Sequence, residues 1–315
     1  MINSTSTSAP IRLGISSCLL GERVRYDGAH KLDRDIVQDL GRHVEFVPVC
    51  PEVAIGLGVP RPPIRLVGAG ARPRARVLDD TARDVTGALA TFGARRARAL
   101  RDISGYILKS RSPSCGLTRV KLYPKTGGRA ARHGRGIYAA ALGAARPLLP
   151  LEEDERLADA AARDNFIERV FAYHCWQQLL SGGISRPRLE AFHAAHELTL
   201  MAHGADAALG RLLARAPYDV RATARVYIER FMRVLTRPAT RRRHAAALAY
   251  ASRRITATLS PRDRAEIADV LVRYRRGTIS LAAAVVRLRR YPDAWSARQT
   301  YLYPDPREFA LRHRA

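Results

Sequence analysis

Near its start the chain reads Ile11-Arg12-Leu13-Gly14-Ile15-Ser16-Ser17-Cys18, and this stretch decides the fold. A short apolar run with β-branched residues, ending in polar residues, marks a buried strand that delivers the chain into a loop. The pattern recurs twice. Val44 to Val49 (VEFVPV) ends at Cys50-Pro51-Glu52, and Gly105 to Leu108 (GYIL) ends at Lys109-Ser110-Arg111-Ser112-Pro113-Ser114-Cys115-Gly116. Between the second and third runs, Thr81 to Arg101 has helical spacing, with Val85, Leu89 and Phe92 among its contacts. Strands alternating with helical segments predict an α/β domain, Rossmann-like, with a mostly parallel sheet. In such sheets ligands sit beyond the carboxyl ends of the strands. Neighbouring strands lie about 4.8 Å apart. Three loops that each carry a cysteine can therefore line one pocket, although the cysteines are distant in sequence.

Downstream the character changes. Glu152, Glu153, Asp154 and Glu155 form an acidic patch, after which Ile167, Val170, Phe171 and Trp176 recur at helical spacing. Ser181-Gly182-Gly183 is a helix stop and a linker signal. Beyond Arg186 the chain reads as helices: Pro187 to Ala202, Val220 to Leu235, Thr240 to Leu259, Pro261 to Gly277 and Leu281 to Tyr291. Ser260-Pro261 is a helix start, with Ser260 as N-cap and proline at the first helical position. No internal repeat is visible. The expected organisation is a disordered leader over residues 1–10 and an α/β catalytic domain over 11–150. A connecting helix and linker follow over 151–186, then an all-α domain over 187–315. The 315 residues suit two domains, and the 47% hydrophobic content is that of a globular protein. No apolar run approaches the roughly 18 residues needed to span a bilayer. The small, polar first ten residues lack the basic start and apolar core of a secretory signal, so a cytoplasmic protein is expected.

The formal net charge is +25, from 54 Lys and Arg against 29 Asp and Glu. An Arg- and Ala-favouring codon bias accounts for arginine standing where lysine would, since the only lysines are Lys31, Lys109, Lys121 and Lys125. It does not account for the shortage of acids. Such a charge captures polyanions, which favours nucleic acid over an acidic membrane surface or a small anionic substrate. In the helical half, Arg241, Arg242 and Arg243 stand together, with Arg273, Arg275, Arg276, Arg287, Arg289 and Arg290 further on. Trp295, Tyr301 and Tyr303 lie among basic residues, where aromatics can stack on exposed bases. Against this, a run of charge is usually a solvated helix face.

Four scattered cysteines in a reducing compartment would ordinarily be inert core residues. The loops around three of them argue otherwise. Ser17-Cys18-Leu19-Leu20-Gly21, Val24-Arg25-Tyr26-Asp27-Gly28, Val49-Cys50-Pro51-Glu52-Val53, Pro60-Arg61-Pro62, Lys109 and Ser112-Pro113-Ser114-Cys115-Gly116 occur in that order. Together they resemble the thiouracil desulfidase (TudS) family over the first half of the chain. The second half resembles the longer RudS-type relatives that act on 4-thiouridine in tRNA, through Phe192-His193, Leu200-Met201-Ala202-His203, Tyr274-Arg275-Arg276-Gly277 and Gln299-Thr300-Tyr301-Leu302-Tyr303-Pro304.

The resemblance implies a 4Fe-4S cluster held by Cys18, Cys50 and Cys115, with one iron left open for a thiocarbonyl sulfur. It implies a non-redox change of C=S to C=O, with Glu52 and Ser112 as the catalytic pair. Tyr26, Asp27, Arg61 and Lys109 are the expected substrate-binding residues, and Arg241, Arg242 and Arg243 the expected tRNA contacts. The expected partner is tRNA carrying 4-thiouridine, with no membrane. Plainer readings stand beside these. Glu52 can pair with Arg61, Ser112 can cap the turn before Pro113, and Asp27-Gly28 is a turn signal. Cys175, next to Trp176 in a helical context, reads as a structural thiol. His193 and His196 share a helix face without a third ligand at a telling distance, which favours packing roles. The sequence departs from the family at two points: Arg65 stands where shorter relatives have an acid, and Asp154 where many have glycine. Two rivals remain. One is a free-base thiouracil desulfidase. The other is a non-catalytic zinc-binding RNA module, although the Cys-x-x-Cys spacing common in zinc sites is absent.

Overall fold

The three cysteine-bearing runs become three neighbouring strands of one sheet. A computed structural model describes residues 10–68, 72–80, 82–126, 128–205, 207–214, 219–255 and 259–312. Residues 1–9, most of the expected leader, lie outside the described residues. In chain order the strands are β1 (Arg12–Ser16), β2 (Glu45–Val49), β3 (Ile64–Val67), β4 (Arg74–Val77), β5 (Ile103–Leu108), β6 (Val120–Tyr123), β7 (Ala131–Gly134) and β8 (Leu151–Glu153). The first sheet has the order β2-β1-β5-β8, and every pairing in it is parallel. Cys18, Cys50 and Cys115 therefore follow the ends of three adjacent parallel strands. A second sheet, β4-β3-β6-β7, has antiparallel outer pairs around a parallel β3–β6 centre.

The helices of this part are α1 (Arg34–Asp39), α2 (Pro51–Ala54), α3 (Thr86–Ala99) and α4 (Ile137–Ala145). All six residues of β5 are buried, as expected of a central parallel strand covered on both faces. Leu89 of α3 and Ile137 of α4 join Leu66, Val77, Val120 and Leu122 in one core under the second sheet. Tyr106 of β5 lies across Gly14 of β1, where a Cβ atom would stand 2.2 Å from the ring. Its hydroxyl meets that of Tyr138 on α4 at 3.1 Å. The start of the expected helix, Thr81, lies outside the described residues; the helix begins at Thr86, after Asp84 bridges to Arg76 of β4.

The described chain divides into two compact units, through Phe166 and from Ile167, with the division inside α5 (Ala160–Ser181). The second unit continues with α6 (Arg186–Ala195), α7 (Glu197–Ala202), α8 (Ala208–Ala214), α9 (Val220–Leu235), α10 (Arg241–Ile255), α11 (Pro261–Arg276), α12 (Leu281–Leu288) and α13 (Pro306–Arg312). Ser260 caps α11 by accepting from the Asp263 N–H at 3.2 Å, and Gly277 ends it at φ +80°. The stretch read as one helix from Pro187 to Ala202 is two helices that break at His196. Trp176, Phe192, Tyr227 and Phe231 form an aromatic core. His193 and His196 belong to it, bonded to the Tyr227 hydroxyl at 3.1 Å and the Phe192 carbonyl at 2.8 Å, so they pack rather than point at an ion. No helix among the described residues is long and apolar enough to cross a membrane.

A buried polar network ties the C-terminal helix into this unit. Glu168 lies 2.8 Å from His203 Nε2 and 3.2 Å from Arg312, which also reaches Glu308 at 3.0 Å. The other His203 nitrogen faces the Arg237 carbonyl at 2.6 Å. Both ring nitrogens thus face acceptors, and only the imidazolium can donate to both. Although burial opposes the charge, Glu168 and the two hydrogen bonds raise the His203 pKa. Glu308 is pushed up to about 7, by burial first. His244, bonded to Tyr301, is pushed down to about 4 by burial, and Glu168 is held well below its ordinary range by Arg312 and His203 despite burial. A raised histidine stabilises the fold fully below its unfolded value and loses that contribution as pH rises through the folded value. A raised carboxyl favours folding while neutral, and that contribution also fades as pH rises, here from the unfolded carboxyl range through about 7. Above the ordinary histidine range, where His244 is neutral in both states, the melting temperature of the full chain is therefore expected to fall as pH rises from about 7 into the mildly alkaline range. Glu308→Gln should flatten that fall; an unchanged slope would show that the network does not govern it.

Candidate active site

Each strand end presents its cysteine through a different device. β1 runs into a single 3-10 turn, Ser17–Leu20, closed by Gly21 at φ +92°. The Cys18 carbonyl accepts from Lys31 N at 2.8 Å, which folds the following loop back onto the turn. β2 ends at Cys50, the residue before α2, with Pro51 in the first helical position and Glu52 next to it. β5 ends in the loop 109–116, where the Ser112 hydroxyl oxygen accepts from Ser114 N at 3.2 Å and Cys115 N at 3.1 Å. Arg111, at the bend of this loop, takes the left-handed conformation at φ +60°, which is uncommon for a residue with a Cβ.

The Cys115 loop is held from several sides. Ser110 N donates to Asp154 Oδ1 at 2.7 Å, and Leu117 N donates to Glu153 Oε1 at 2.8 Å. The first turn of α4 docks on it, with Gly136 N, Ile137 N and Ala139 N donating to the carbonyls of Gly116, Pro113 and Ser114. This approach needs glycine at 136, since a Cβ there would lie 2.5 Å from the Ser114 backbone. The acidic patch is thus the end of a buried strand and the turn after it, not a solvated helix start. Glu152, Glu153 and Asp154 are all buried.

Cys18, Cys50 and Cys115 line one cavity of about 270 Å³, together with Tyr26, Glu52, Arg61, Lys109 and Ser112. That is several times the roughly 30 Å³ share of a water molecule. Burial pushes all three thiols up, Cys18 to about 11. Cys50 adds to the rise of both Cys18 and Cys115, which marks the three sulfurs as electrostatic neighbours. Among the described residues no three His, Cys, Asp or Glu side chains stand close enough to clasp a single metal ion. The three thiols share the lining of that cavity. Cys175 lies in α5, outside the cavity lining, and burial pushes it up to about 12.

Every cation on the cavity wall has a carboxylate partner. Arg61 grips Glu52 Oε2 with Nε at 3.0 Å and Nη2 at 2.8 Å. Lys109 meets Asp154 at 2.5 Å, Arg111 meets Glu155 at 2.8 Å, and Arg25 stands 3.4 Å from Asp27. The remaining Arg61 donors go to the carbonyls of Gly58 at 2.7 Å and Val24 at 2.9 Å. Arg61 therefore holds Glu52 and the loops around it, rather than reaching across the cavity. Asp27 is not among the lining residues. It accepts from Ala29 N at 3.1 Å and turns the chain.

Sequence reasoning missed Ser114. It is wholly buried, and its hydroxyl donates to Glu52 Oε1 at 2.8 Å, so the carboxylate is fixed at both oxygens. Nothing in the Ser-Pro-Ser-Cys run says which serine turns toward Glu52. Asp154 carried a signal, as a departure from the family pattern, but its pairing with Lys109 did not follow from it. In the helical unit, two of the three expected tRNA-binding arginines are engaged internally. Arg241 lies over the Tyr274 ring and donates to its carbonyl at 2.9 Å, and Arg243 donates to the His203 carbonyl at 3.3 Å. Tyr301 is buried, Trp295 donates to Glu197 and Tyr303 donates to the Arg289 carbonyl, so these aromatics belong to the core.

A family model described as 2-thiouracil desulfurase matches residues 13–154, and one described as a protein of unknown function (DUF1722) matches 198–306. YbgA of Escherichia coli (strain K12) is 28% identical over 162 residues, 48% of this chain and 94% of YbgA. YbbK of Bacillus subtilis (strain 168) is 32% identical over 108 residues, 32% of this chain and 71% of YbbK. Among solved structures, the 4Fe-4S-dependent thiouracil desulfidase TudS is 31% identical, covering 47% of this chain and 93% of the TudS chain, at a TM-score of 0.38.

Proposed function

The chain belongs to the 2-thiouracil desulfurase family, and from that premise we propose that it is an iron–sulfur-dependent desulfidase that converts 4-thiouridine in tRNA to uridine. The observation that carries the reading is the cavity at the ends of three adjacent parallel strands, lined by three thiols and Glu52.

The donor set fits the cofactor. Iron–sulfur clusters are held by cysteine thiolates, and the cavity offers three, from Cys18, Cys50 and Cys115. Cys18, Cys50 and Cys115 would hold such a cluster, which would supply a soft Lewis acid for a thiocarbonyl sulfur. A structural zinc ion wants four donors, commonly cysteine and histidine, whereas the cavity lining offers three thiols and no histidine, which favours the cluster over the zinc module. The net change is R₂C=S + H₂O → R₂C=O + H₂S, and no electrons are exchanged.

The remaining chemistry falls to the chain's own side chains. Glu52 takes the proton of the adding water, and Arg61 and Ser114 fix its carboxylate in one orientation. General-base catalysis depends on such positioning as much as on basicity. Ser112 already accepts from two backbone N–H groups, which polarises its hydroxyl and suits it to donate to the thiolated ring. Anaerobic reconstitution, followed by mass analysis of nucleosides from treated tRNA, tests the assignment. Loss of 4-thiouridine with matching gain of uridine and sulfide is expected. Conversion of free thiouracil with no change in tRNA would favour the free-base enzyme.

Ser114 acts as a positioning residue, through Glu52. Ser114→Ala is expected to lower kcat while leaving KM and iron content near wild type, and Ser114→Thr, which restores the hydroxyl, should recover much of the rate. A kcat unchanged in Ser114→Ala would remove Ser114 from this role, as would a loss that threonine cannot repair.

A further inference from the structure

The exposed arginines of the helical unit are not all alike. Several have partners at hand. Arg287 and Arg290 flank Glu266, Arg273 pairs with Asp269, Arg186 with Glu190, and Arg253 and Arg254 lie over the Tyr250 ring. Arg275 and Arg276 close α11, where the negative end of the helix dipole favours cations.

α9 differs. Its inward half is fixed by Ala224, Tyr227, Ile228, Phe231, Met232 and Leu235, all buried. Its solvent half carries Arg221, Arg225, Arg230 and Arg233, and Arg237 follows in the next turn; all five are exposed. Among the described residues none of them has a carboxylate within ion-pair distance, and Glu229, the one acid of the helix, pairs with none. Arg221 and Arg225 stand four residues apart, as do Arg233 and Arg237, and Arg230 and Arg233 stand three apart. Like charges at these spacings repel by roughly 0.2–0.5 kcal/mol a pair. An Arg-biased composition puts arginines on every surface. It does not by itself line five unpaired arginines along one helix and its next turn, where Glu229 is the one acid of the helix.

We propose that the solvent half of α9 is a phosphate-binding face, which holds the backbone of the RNA substrate. This inference rests on the tRNA reading above and moves its contacts from the start of α10 to α9. Arg221 to Arg233 span about 18 Å at 1.5 Å per residue, long enough to follow several phosphates of a strand. Guanidinium groups pair with phosphate oxygens in a fork, which suits arginine for this task. An acidic membrane surface fits less well. Helices that lie on membranes insert an apolar face, and the apolar half of α9 is already spent in the core, with Val226 as its exposed large hydrophobic side chain.

The test compares two triple variants of the reconstituted full chain with the same change in net charge. Arg225→Gln/Arg230→Gln/Arg233→Gln strips α9, and Arg253→Gln/Arg287→Gln/Arg290→Gln strips α10 and α12. Binding to thiolated tRNA is measured across salt concentrations, with free thiouracil turnover and melting temperature as checks of cluster and fold. The α9 variant is expected to bind tRNA on the order of tenfold more weakly at 0.1 M salt. Its log–log salt slope should be shallower by about two to three, at roughly 0.7–0.9 per lost phosphate contact. The control should bind as wild type does, and thiouracil turnover should be equal in all three. Equal losses in both variants would reduce the effect to net charge and overturn the proposal, and so would no loss in either. Wild-type protein that sediments with phosphatidylserine vesicles through α9, and not with tRNA, would overturn it in favour of a membrane. Wild-type protein that converts thiouracil but neither binds nor desulfurates tRNA would bring down the tRNA reading, and this inference with it.

Discussion

Cys18→Ala, Cys50→Ala and Cys115→Ala are each expected to lose bound iron and turnover together, after identical anaerobic reconstitution. Each removes one of three thiolates from a cavity that offers no replacement among its lining residues. The lining also holds Ser16, Ser17, Ser110 and Ser112, and hydroxyls are poor ligands for iron–sulfur clusters beside thiolates. Cys175→Ala should keep both properties, because that thiol lies in α5, outside the cavity. Iron and sulfide analysis with the visible spectrum checks all four variants. Wild-type protein that comes out colourless, with stoichiometric zinc and no iron, would defeat the assignment. So would any of the three variants that kept full iron.

Glu52→Gln is expected to keep the cluster and lose most of its turnover, by roughly 10²–10⁴ as for other general acid–base groups. The geometry explains why the shape survives. Glutamine can offer its carbonyl oxygen to Arg61 and its amide N–H₂ to Ser114, whose hydroxyl turns from donor to acceptor. What is lost is the ability to take a proton, along with the charge that Arg61 faces. That second loss is a reason to measure melting temperature alongside rate, since an unbalanced Arg61 in a wall where its side chain is 4% exposed carries a cost of its own. If the variant turned over at the wild-type rate with an intact cluster, Glu52 would be a structural partner of Arg61 and nothing more.

Much of the fold was legible because its deciding elements are short, apolar and end in recognisable loops. The three cysteine strands follow from apolar runs that each end in a loop, and the parallel sheet sets them side by side. The helical half was legible for the same reason, down to the Ser260 cap and the Gly277 stop of α11. The second sheet was not. Its strands are four residues each, and runs such as Arg74-Ala-Arg-Val77 and Val120-Lys-Leu-Tyr123 alternate over too short a span to stand out from loops. Strand β8 was hidden by its own acids. Glu152 and Glu153 stand in an acidic patch, and their burial rests on the nearby Arg156 and on the amide groups of the Cys115 loop. At the site, the loops at the strand ends drew attention to the cysteines, and the family resemblance to Glu52 and Ser112. The choice between Ser112 and Ser114 as the partner of Glu52 depends on a backbone path that no local pattern encodes. In the helical half, charge density pointed to α10, but whether an arginine is spent on a neighbour or left to solvent is settled by packing.

The close contact of Gly14 with Tyr106 reaches further than β1. Tyr106 meets Tyr138 on α4, and the first turn of α4, entered through Gly136, holds the loop that presents Cys115. A mutational scan scored only by product formation would therefore rank Gly14 and Gly136 beside the cysteines, although neither glycine lines the cavity. Scoring the same library for soluble yield would part the two groups. Glycine variants would fail as misfolded chains, cysteine variants as well-folded ones without iron. Loss of function in this chain thus has two signatures, and its most sensitive positions include some that never meet the substrate.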